Sequence, residues 1–416
     1  MNFSKIFSAA ILALLLLAIP RHSFAESKIE GEIGYKKGLY YQSADGKFKI
    51  KQNFRIQFRG DVMSDNVAGS DTTTDLMVRR VKMKLGGHAY EKWIKWGLQL
   101  AGSAGRSGKG EEMKVEDAFI VIAKNKAADL KMGRFKVSYG REVLNSSSAL
   151  QFVDRSFVKE FIIDTSRGDG ISVGGIMGNM IAYRTGLFQR DGKTFDGGRN
   201  VLWTGRVQAN ICCGELKYSS GTFTASGDYK ISPNFAKVPV FALGFGGFYD
   251  SGTDAAIDRI GATDLVAGTT SNATGGFTLD LIAKIQRANF EAAFYYGSTK
   301  DVTNATLGDD NTVGGTGVNT DTAASTGTLT HTAYRIQGGF MMTPNFEIAT
   351  RWAYADYDTG YSNNEWRWTT GLNWYIAAKH RTKVQLDYTY GNEKDGISSG
   401  ADKKENIFRG QIQIDL

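Results

Sequence analysis

The feature of this sequence with the clearest chemistry is a set of cations at every second position. Lys47, Lys49, Lys51, Arg55 and Arg59 share one parity. The same spacing continues in Arg80, Lys82 and Lys84, then in Lys95, Arg184, Arg206, Lys284, Arg335, Arg351 and Lys383. Protonated side chains gathered on one face attract and coordinate anions, and in a narrow low-dielectric passage their fields add. Guanidinium is the better partner for an oxyanion, because its planar fork donates two parallel hydrogen bonds. Acids of the same parity, such as Asp280, Asp387 and Asp415, are fewer, so the shared face is expected to be net basic. A plainer reading gives these charges only the work of keeping a wall wet, since solvating charges look the same in a sequence.

Other chemistries find little support. Gly170-Ile171-Ser172-Val173-Gly174 has the spelling of a nucleophile elbow. That motif needs a strand, a turn and a helix, and Gly175 with a further β-like run follows instead. Gly186 to Thr194 resembles a phosphate-binding loop, but it is one residue too long and has Asp191 where the second glycine belongs. His88, His331 and His380 lie far apart without metal-ligand spacing and read as surface or turn histidines. Cys212 and Cys213 are neighbours, which excludes a disulfide framework between distant segments and leaves a metal site short of ligands. Neither a catalytic residue, a metal site nor a cofactor is expected.

What positions the cations is period-two alternation. Phe48, Ile50, Phe54, Ile56 and Phe58 interleave with the basic set, and at the far end Phe408, Ile412, Ile414 and Leu416 interleave with Arg409, Gln411, Gln413 and Asp415. Similar segments recur at 76–88, 92–101, 113–124, 129–137, 169–177, 180–189, 200–211, 238–249, 276–286, 288–297, 330–342, 346–357, 365–376 and 381–390. With the two ends this makes about 16 strands of roughly 10 residues, the even number a bacterial barrel requires. The links alternate. Short ones fall at Gly87–Glu91, Asn125–Ala128, Gly178–Asn179, Arg287, Thr343–Asn345 and Ala377–His380. Long polar ones fall at 60–75, 102–112, 138–168, 190–199, 250–275, 298–329 and 391–406. A soluble sandwich has no reason for that rhythm, whereas a barrel with tight periplasmic turns and long outer loops does. Segment 212–237 is long where a turn is due.

The apolar parity also carries the aromatics, as in Trp366, Trp368, Leu372 and Trp374 against Arg367, Thr369 and Asn373. Aromatics on the outside suit interfacial girdles, and a polar inside at this strand number is a water channel. No later stretch reaches the roughly 20 apolar residues of a spanning helix. Lys5 before the run Ile6 to Pro20, then Ser23 and Ala25, reads as a secretory signal cut after Ala25. The expected layout is therefore a signal at 1–25, a short periplasmic segment at 26–45 and a barrel at 46–416. Lys plus Arg number 50 against 43 Asp plus Glu, a mild excess spread along strands, so nucleic acid is not an expected partner. The connection 138–168 carries its own anchors, Phe152, Phe157 and Phe161, together with Arg141, Asp154, Arg155, Lys159 and Arg167. It can fold into the barrel and narrow it, cap the outside, or meet a neighbouring subunit.

Several stretches together resemble the phosphate-selective porin O and P family. They are FKIKQNFRIQF at Phe48–Phe58, the RRVKMKLGGHAYEKW core within Leu76–Leu100, GRFKVSYGREVLNSSSALQFVDRS at Gly133–Ser156, LNWY at Leu372–Tyr375 and the closing Phe408–Leu416. The resemblance implies a 16-stranded trimeric pore in a Gram-negative-type outer membrane, bounded by lipid and lipopolysaccharide. It also implies an inward-folded third loop forming a constriction for small anions such as phosphate. It places Arg55, Arg79, Arg80, Ser146, Ser147 and Arg155 around the anion, and the parity reading adds Arg59, Lys82 and Lys84 to the pore lining. Arg79 and Arg80 are neighbours and can share the lumen only if a β-bulge re-aims one of them. The family's mid-chain run of alternating arginines is replaced at 212–237 by Lys217, Lys230 and Lys237, and Leu416 stands where a terminal aromatic is usual. Phosphate therefore rests on the resemblance, and the anion preference on the basic parity as well. The competing readings are a porin for other solutes, a structural or adhesive barrel with binding loops, and, least supported, a barrel enzyme.

Overall fold

A computed structural model describes residues 30–36, 38–66, 71–104, 112–160, 166–178, 180–189, 201–212, 217–219, 222–224, 236–251, 273–302, 327–356, 364–377, 380–393 and 402–416. The expected signal peptide at 1–25 and residue Cys213 lie outside them.

Alternating sequence becomes alternating burial. The first eight wall strands are β3 (Lys49–Asp65), β4 (Thr73–Ala89), β5 (Glu91–Ala104), β6 (Glu112–Ile122), β7 (Asp129–Lys136), β8 (Arg167–Met177), β9 (Ile181–Gln189) and β10 (Val201–Cys212). The other eight are β13 (Ala236–Asp250), β14 (Ala273–Gln286), β15 (Ala288–Val302), β16 (Gly327–Thr343), β17 (Phe346–Asp356), β18 (Asn364–Ala377), β19 (Thr382–Glu393) and β20 (Lys403–Asp415). Each pairs antiparallel with its sequence neighbours. β20 pairs with β3 from Glu405↔Asp65 to Asp415↔Arg55, closing a barrel of 16 strands among the described residues. Closure leaves the wall without an edge, as it must be in hydrocarbon, where an unpaired peptide group costs several kcal/mol.

Outward positions are apolar and exposed, as with Phe58, Phe245, Leu279, Trp368, Trp374 and Ile412. Inward positions are polar and buried, as with Gln57, Arg184, Arg335, Lys383 and Gln413. This is the reverse of a soluble barrel. Tight links follow the sequence rhythm, with left-handed backbone at Tyr90 (φ 66°) between β4 and β5 and at Gln286 (φ 49°) before β15.

Two hairpins lie outside the wall. β1 (Gly31–Tyr35) and β2 (Leu39–Ser43) pair with each other, and β2 pairs with β3 at Leu39↔Gln52 through Gln42↔Lys49. The hairpin thus takes over the edge of β3 just beyond Leu416, whose N–H donates to the Phe54 carbonyl at 2.7 Å. Arg381 ties it to the tight-turn end by donating to the Tyr35 hydroxyl at 2.7 Å. The segment expected as a plain N-terminal stretch at 26–45 is therefore largely a β-hairpin. In the anomalous link 212–237, β11 (Lys217–Ser219) and β12 (Thr222–Thr224) form a second small hairpin.

Candidate functional site

The site is built by the connection between β7 and β8, which turns inward and is held by side chains from the lumen wall. Its root packs in an apolar cluster of Phe135, Val137, Tyr139, Phe188, Leu202, Phe248 and Tyr295 inside the barrel. The Tyr139 ring meets Phe248 edge-on at 5.1 Å. β13 passes close enough to require glycine there, because a Cβ on Gly246 would lie 2.7 Å from the Tyr139 carbonyl. The chain then forms a short helix, α1 (Arg141–Leu144), and a 3₁₀ turn at Ser147–Ala149. Lys136 secures that passage by donating to the carbonyls of Val143, Leu144 and Asn145 at 2.6 to 3.0 Å.

The descent along the wall is fixed strand by strand. Arg141 pairs with Glu291 at 3.1 Å, and Arg335, fully buried, pairs with both Glu291 and Glu142. Lys383 donates to the Leu150 carbonyl at 2.7 Å, and Asn373 donates to the Gln151 carbonyl at 2.8 Å. The Gln151 amide donates to Asn289 and Glu347 and accepts from Gln337. The Val153 N–H donates to Asp387 at 2.8 Å. Buried polar groups are costly unless satisfied, so this density of partners fixes one path for the loop.

Asp154 ends the descent. Its carboxylate accepts from Arg59 and, at 3.3 Å, from Arg80, while Arg351 donates to its carbonyl at 3.1 Å. Burial would push this acid up, but Arg59 and Arg80, aided by Arg79 and Arg409, hold it well below the usual carboxylate range. A lowered acid contributes stability that is fully present above its unfolded value near 4 and is lost only as pH falls through its lower folded value. The hold of Asp154 on the loop is therefore expected to stay level from about pH 8 to about pH 5, read as constant hydrogen-exchange protection of the loop amides. Loss of that protection inside the window would show that Asp154 does not hold the loop.

Beside Asp154 lies a cavity of about 250 Å³ lined by Arg79, Arg80, Arg155, Lys159, Arg351, Arg367 and Arg409, with Ser156, Phe157, Ala353, Thr369 and Thr389. Seven cations and one carboxylate, Asp154, thus line the cavity, with further acids paired to Arg351, Arg367 and Arg409 behind it. Arg351 stacks on Phe152 at 4.5 Å and Arg367 on Phe157 at 5.3 Å, which fixes two of the guanidinium planes. Nε of Arg409 is buried without a hydrogen-bond partner among the described residues.

Arg79 and Arg80 both reach this cavity, and the bulge needed for that is present. Gln57 pairs with Arg80 but Phe58 pairs with Val78, so Arg79 is the extra residue; toward β5, Val78↔Ala104 is followed by Val81↔Gly102. A comparable irregularity on β6, where Gln99↔Asp117 is followed by Leu100↔Val115, turns Glu116 inward beside Asp117. Arg155 lines the cavity while donating to the carbonyls of Glu142 at 3.0 Å and Asn145 at 2.7 Å. Arg59 touches it through Asp154. Arg55 sits lower, paired with Asp415 at 3.0 Å and donating to Ser147 Oγ at 3.3 Å. Lys82 is tied to Glu116 at 2.6 Å, and Lys84 follows two residues on, opposite Asn53. Ser146 caps the 3₁₀ turn by accepting from the Ser148 N–H at 3.4 Å. Neither Ser146 nor Ser147 is among the residues around the cavity.

Two sequence expectations are corrected. The inward face holds more acid than Asp280, Asp387 and Asp415, because Asp61, Glu116, Asp129, Glu291 and Glu347 also point in. Much of the basic parity is consequently neutralised in ion pairs, Arg184 with Asp129 and Arg206 with Asp280, both at 2.7 Å. At the cavity too, Arg367 pairs with Glu365 and Glu405, Arg409 lies 3.9 Å from Asp387 and Arg351 3.8 Å from Glu142. His331, expected at a surface or turn, is fully buried on β16 with its Nε2 3.2 Å from Thr299 Oγ1. Arg351 belongs to the basic parity read from the sequence, whereas Lys159, Arg367 and Arg409 were not singled out as anion ligands. For the two arginines the inward parity was the available signal; for Lys159 on the loop there was none.

Residues 48–208, from the approach to β3 into β10, match the family model described as phosphate-selective porin O and P. No curated protein matches the chain by sequence. Among solved structures, OmpF of Salmonella typhi in complex with daunomycin superposes with a TM-score of 0.57 at 10% identity, covering 92% of this chain and 100% of that one. An anion-selective porin from Comamonas acidovorans gives 0.53 at 13% identity, over 88% and 99%. The trimer form of OmpT from Vibrio cholerae gives 0.51 at 12% identity, over 88% and 99%. At such identities the likeness is one of fold.

Proposed function

We propose that this chain, an outer-membrane β-barrel porin with the phosphate-selective porin O and P signature over residues 48–208, passes small anions by passive diffusion through the arginine-lined cavity beside Asp154. The observation that carries the reading is the seven cations around that cavity. Water occupies about 30 Å³ in the liquid, so about 250 Å³ accommodates a small anion with part of its hydration shell. Loss of that shell is offset by guanidinium donors held in place by Phe152, Phe157 and Asp154 before the ion arrives. Arg55, Arg59, Lys82 and Lys84 are assigned to the approach below the cavity, with Ser146 and Ser147 shaping the loop that bounds it. Phosphate and similar oxyanions are the favoured cargo, because forked arginines outnumber the single lysine at the cavity. A homotrimer in contact with lipid and lipopolysaccharide is the proposed assembly, supported by the family resemblance and by the trimer form of the Vibrio cholerae protein.

Reversal potentials in a KCl gradient across a planar bilayer test the first claim, with chloride expected to carry most of the current. A cation-preferring potential defeats it. Phosphate is tested separately: millimolar phosphate is expected to block chloride current, and Arg409→Gln to weaken the block. Unblocked chloride current would leave an anion porin without phosphate selectivity.

A further inference from the structure

We infer that the pore is bipolar along its axis: an acidic arc at the outer mouth, on β18, β19, β20, β3 and β4, stands in series with the arginine cavity and makes ion current larger when the outer side is positive. The inference goes beyond the anion reading, and rests on the basic cavity of that reading.

Register supplies the first observation. Cross-strand partners share a face, and three such pairs near the long-loop end set acid against acid: Glu365↔Glu393, Asp65↔Glu405 and Asp61↔Asp75. All three lie on the inward parity, as the burial of Glu365, Asp61 and Ile407 shows. Facing like charges destabilise a sheet. Deeper in the lumen acids meet cations instead, Asp129 with Arg184 and Asp280 with Arg206.

Local cations are fewer than these acids. Arg367 serves both Glu365 and Glu405, the latter at 3.2 Å, and Lys403 lies 3.6 Å from Glu405 with 43% of its side chain exposed. Asp61 is held by Arg59, which Asp154 also engages. Across the lumen, the inward residues near the same end of β14, β15 and β17 include Thr274, Thr299 and Ala355, buried and uncharged.

The arc lies just outward of the cavity on the same strands. Glu365 is two residues from Arg367, while Glu405 and Asp75 are four from Arg409 and Arg79. At about 3.3 Å per residue these offsets are about 7 and about 13 Å. They are comparable to the Debye length of about 10 Å at 0.1 M ionic strength and exceed the roughly 3 Å at 1 M. In dilute salt the mouth therefore gathers cations and the cavity gathers anions. With the outer side positive, both kinds of ion are driven toward the boundary between the zones and enrich it. With the outer side negative, both are drawn away and the boundary is depleted.

Single-channel current–voltage curves in symmetric KCl, recorded from the protein in planar bilayers, test the inference. Met63→Cys, with Cys212→Ser and Cys213→Ser as background, places a thiol on the inward parity between Asp61 and Asp65. The side from which a bulky polyethylene-glycol maleimide blocks this thiol identifies the outer mouth. At 0.1 M, larger current is expected with the outer side positive, and the asymmetry is expected to vanish at 1 M. Glu365→Gln, Glu393→Gln and Glu405→Gln together should abolish it and strengthen the anion preference in a KCl gradient. The Met63→Cys thiol, with every acid in place, should react faster with a cationic than with an anionic methanethiosulfonate. Equal currents at both polarities in dilute salt overturn the inference, as do larger current with the outer side negative or faster reaction with the anionic reagent. An anion-preferring reversal potential with symmetric current keeps the porin and discards the bipolar axis, whereas a cation-preferring potential with the asymmetry retained keeps the bipolar axis and discards the anion preference.

Discussion

Replacing Arg80 and Arg409 together with glutamate is expected to remove most of the pore's preference for anions. Each substitution swings the charge at one cavity by two units while leaving the fold's backbone pairing untouched. A unit pair 4 Å apart is worth about 1 kcal/mol in water and about 4 kcal/mol at the effective dielectric near a protein surface. Even a net swing of about 2 kcal/mol exceeds the 1.4 kcal/mol that corresponds to tenfold in a partition coefficient. Chloride-over-potassium permeability should therefore fall by more than about tenfold at low salt, and by less at high salt as the Debye length contracts. Arg59 still holds Asp154 in the variant, so the loop keeps one of its two guanidinium anchors there. Reversal potentials measured at two ionic strengths check both parts. An unchanged anion preference would mean that the cavity is not on the conduction path.

The second large effect concerns the loop itself. Arg335→Met removes the cation that serves both Glu291 and Glu142, each buried. Leaving a buried carboxylate without its partner typically costs about 3–5 kcal/mol, and the cost is smaller here because Glu291 keeps Arg141 and Glu142 keeps Arg351. Glu142 also accepts from the Ser156 N–H at 2.9 Å and its carbonyl from Arg155, so the cost falls on the loop rather than on the barrel. Larger and noisier single-channel conductance is expected, with strand content by circular dichroism unchanged. A variant that conducts like the parent would show that the loop is held by its other polar contacts to the wall without Arg335.

The barrel was legible because its physics is periodic. Lys49 to Arg59 and Arg409 to Asp415 announce their inward parity in the sequence, and the alternation of long and short links located the two ends of the wall without any structure. Charge pairing was not legible, since it depends on which strands lie side by side around the barrel. Arg206 and Asp280 are 74 positions apart yet share a double hydrogen bond, so one cannot be discounted against the other from spacing. The cavity was half legible for the same reason. Arg80, Arg155 and Arg351 came from parity or resemblance, whereas Arg367 and Arg409 sit on strands distant in sequence and join them only when the barrel closes. The N-terminal hairpin escaped notice because Gly31–Tyr35 and Leu39–Ser43 are too short to show a convincing period.

The extra residue at Arg79 makes β4 a strand of two phases. Below it, Arg80, Lys82 and Lys84 keep even numbers inside; above it, Asp75 and Met77 keep odd numbers inside. Substitutions at Arg79 alter one side chain, but deleting it would merge the phases and rotate the upper half of β4 by half a turn. Leu76 and Val78 would then face water and Asp75 the outside, across the whole stretch from Thr73 to Val78. Length is thus more tightly constrained than identity at this point, and homologous pores that vary the residue there are expected to keep the count.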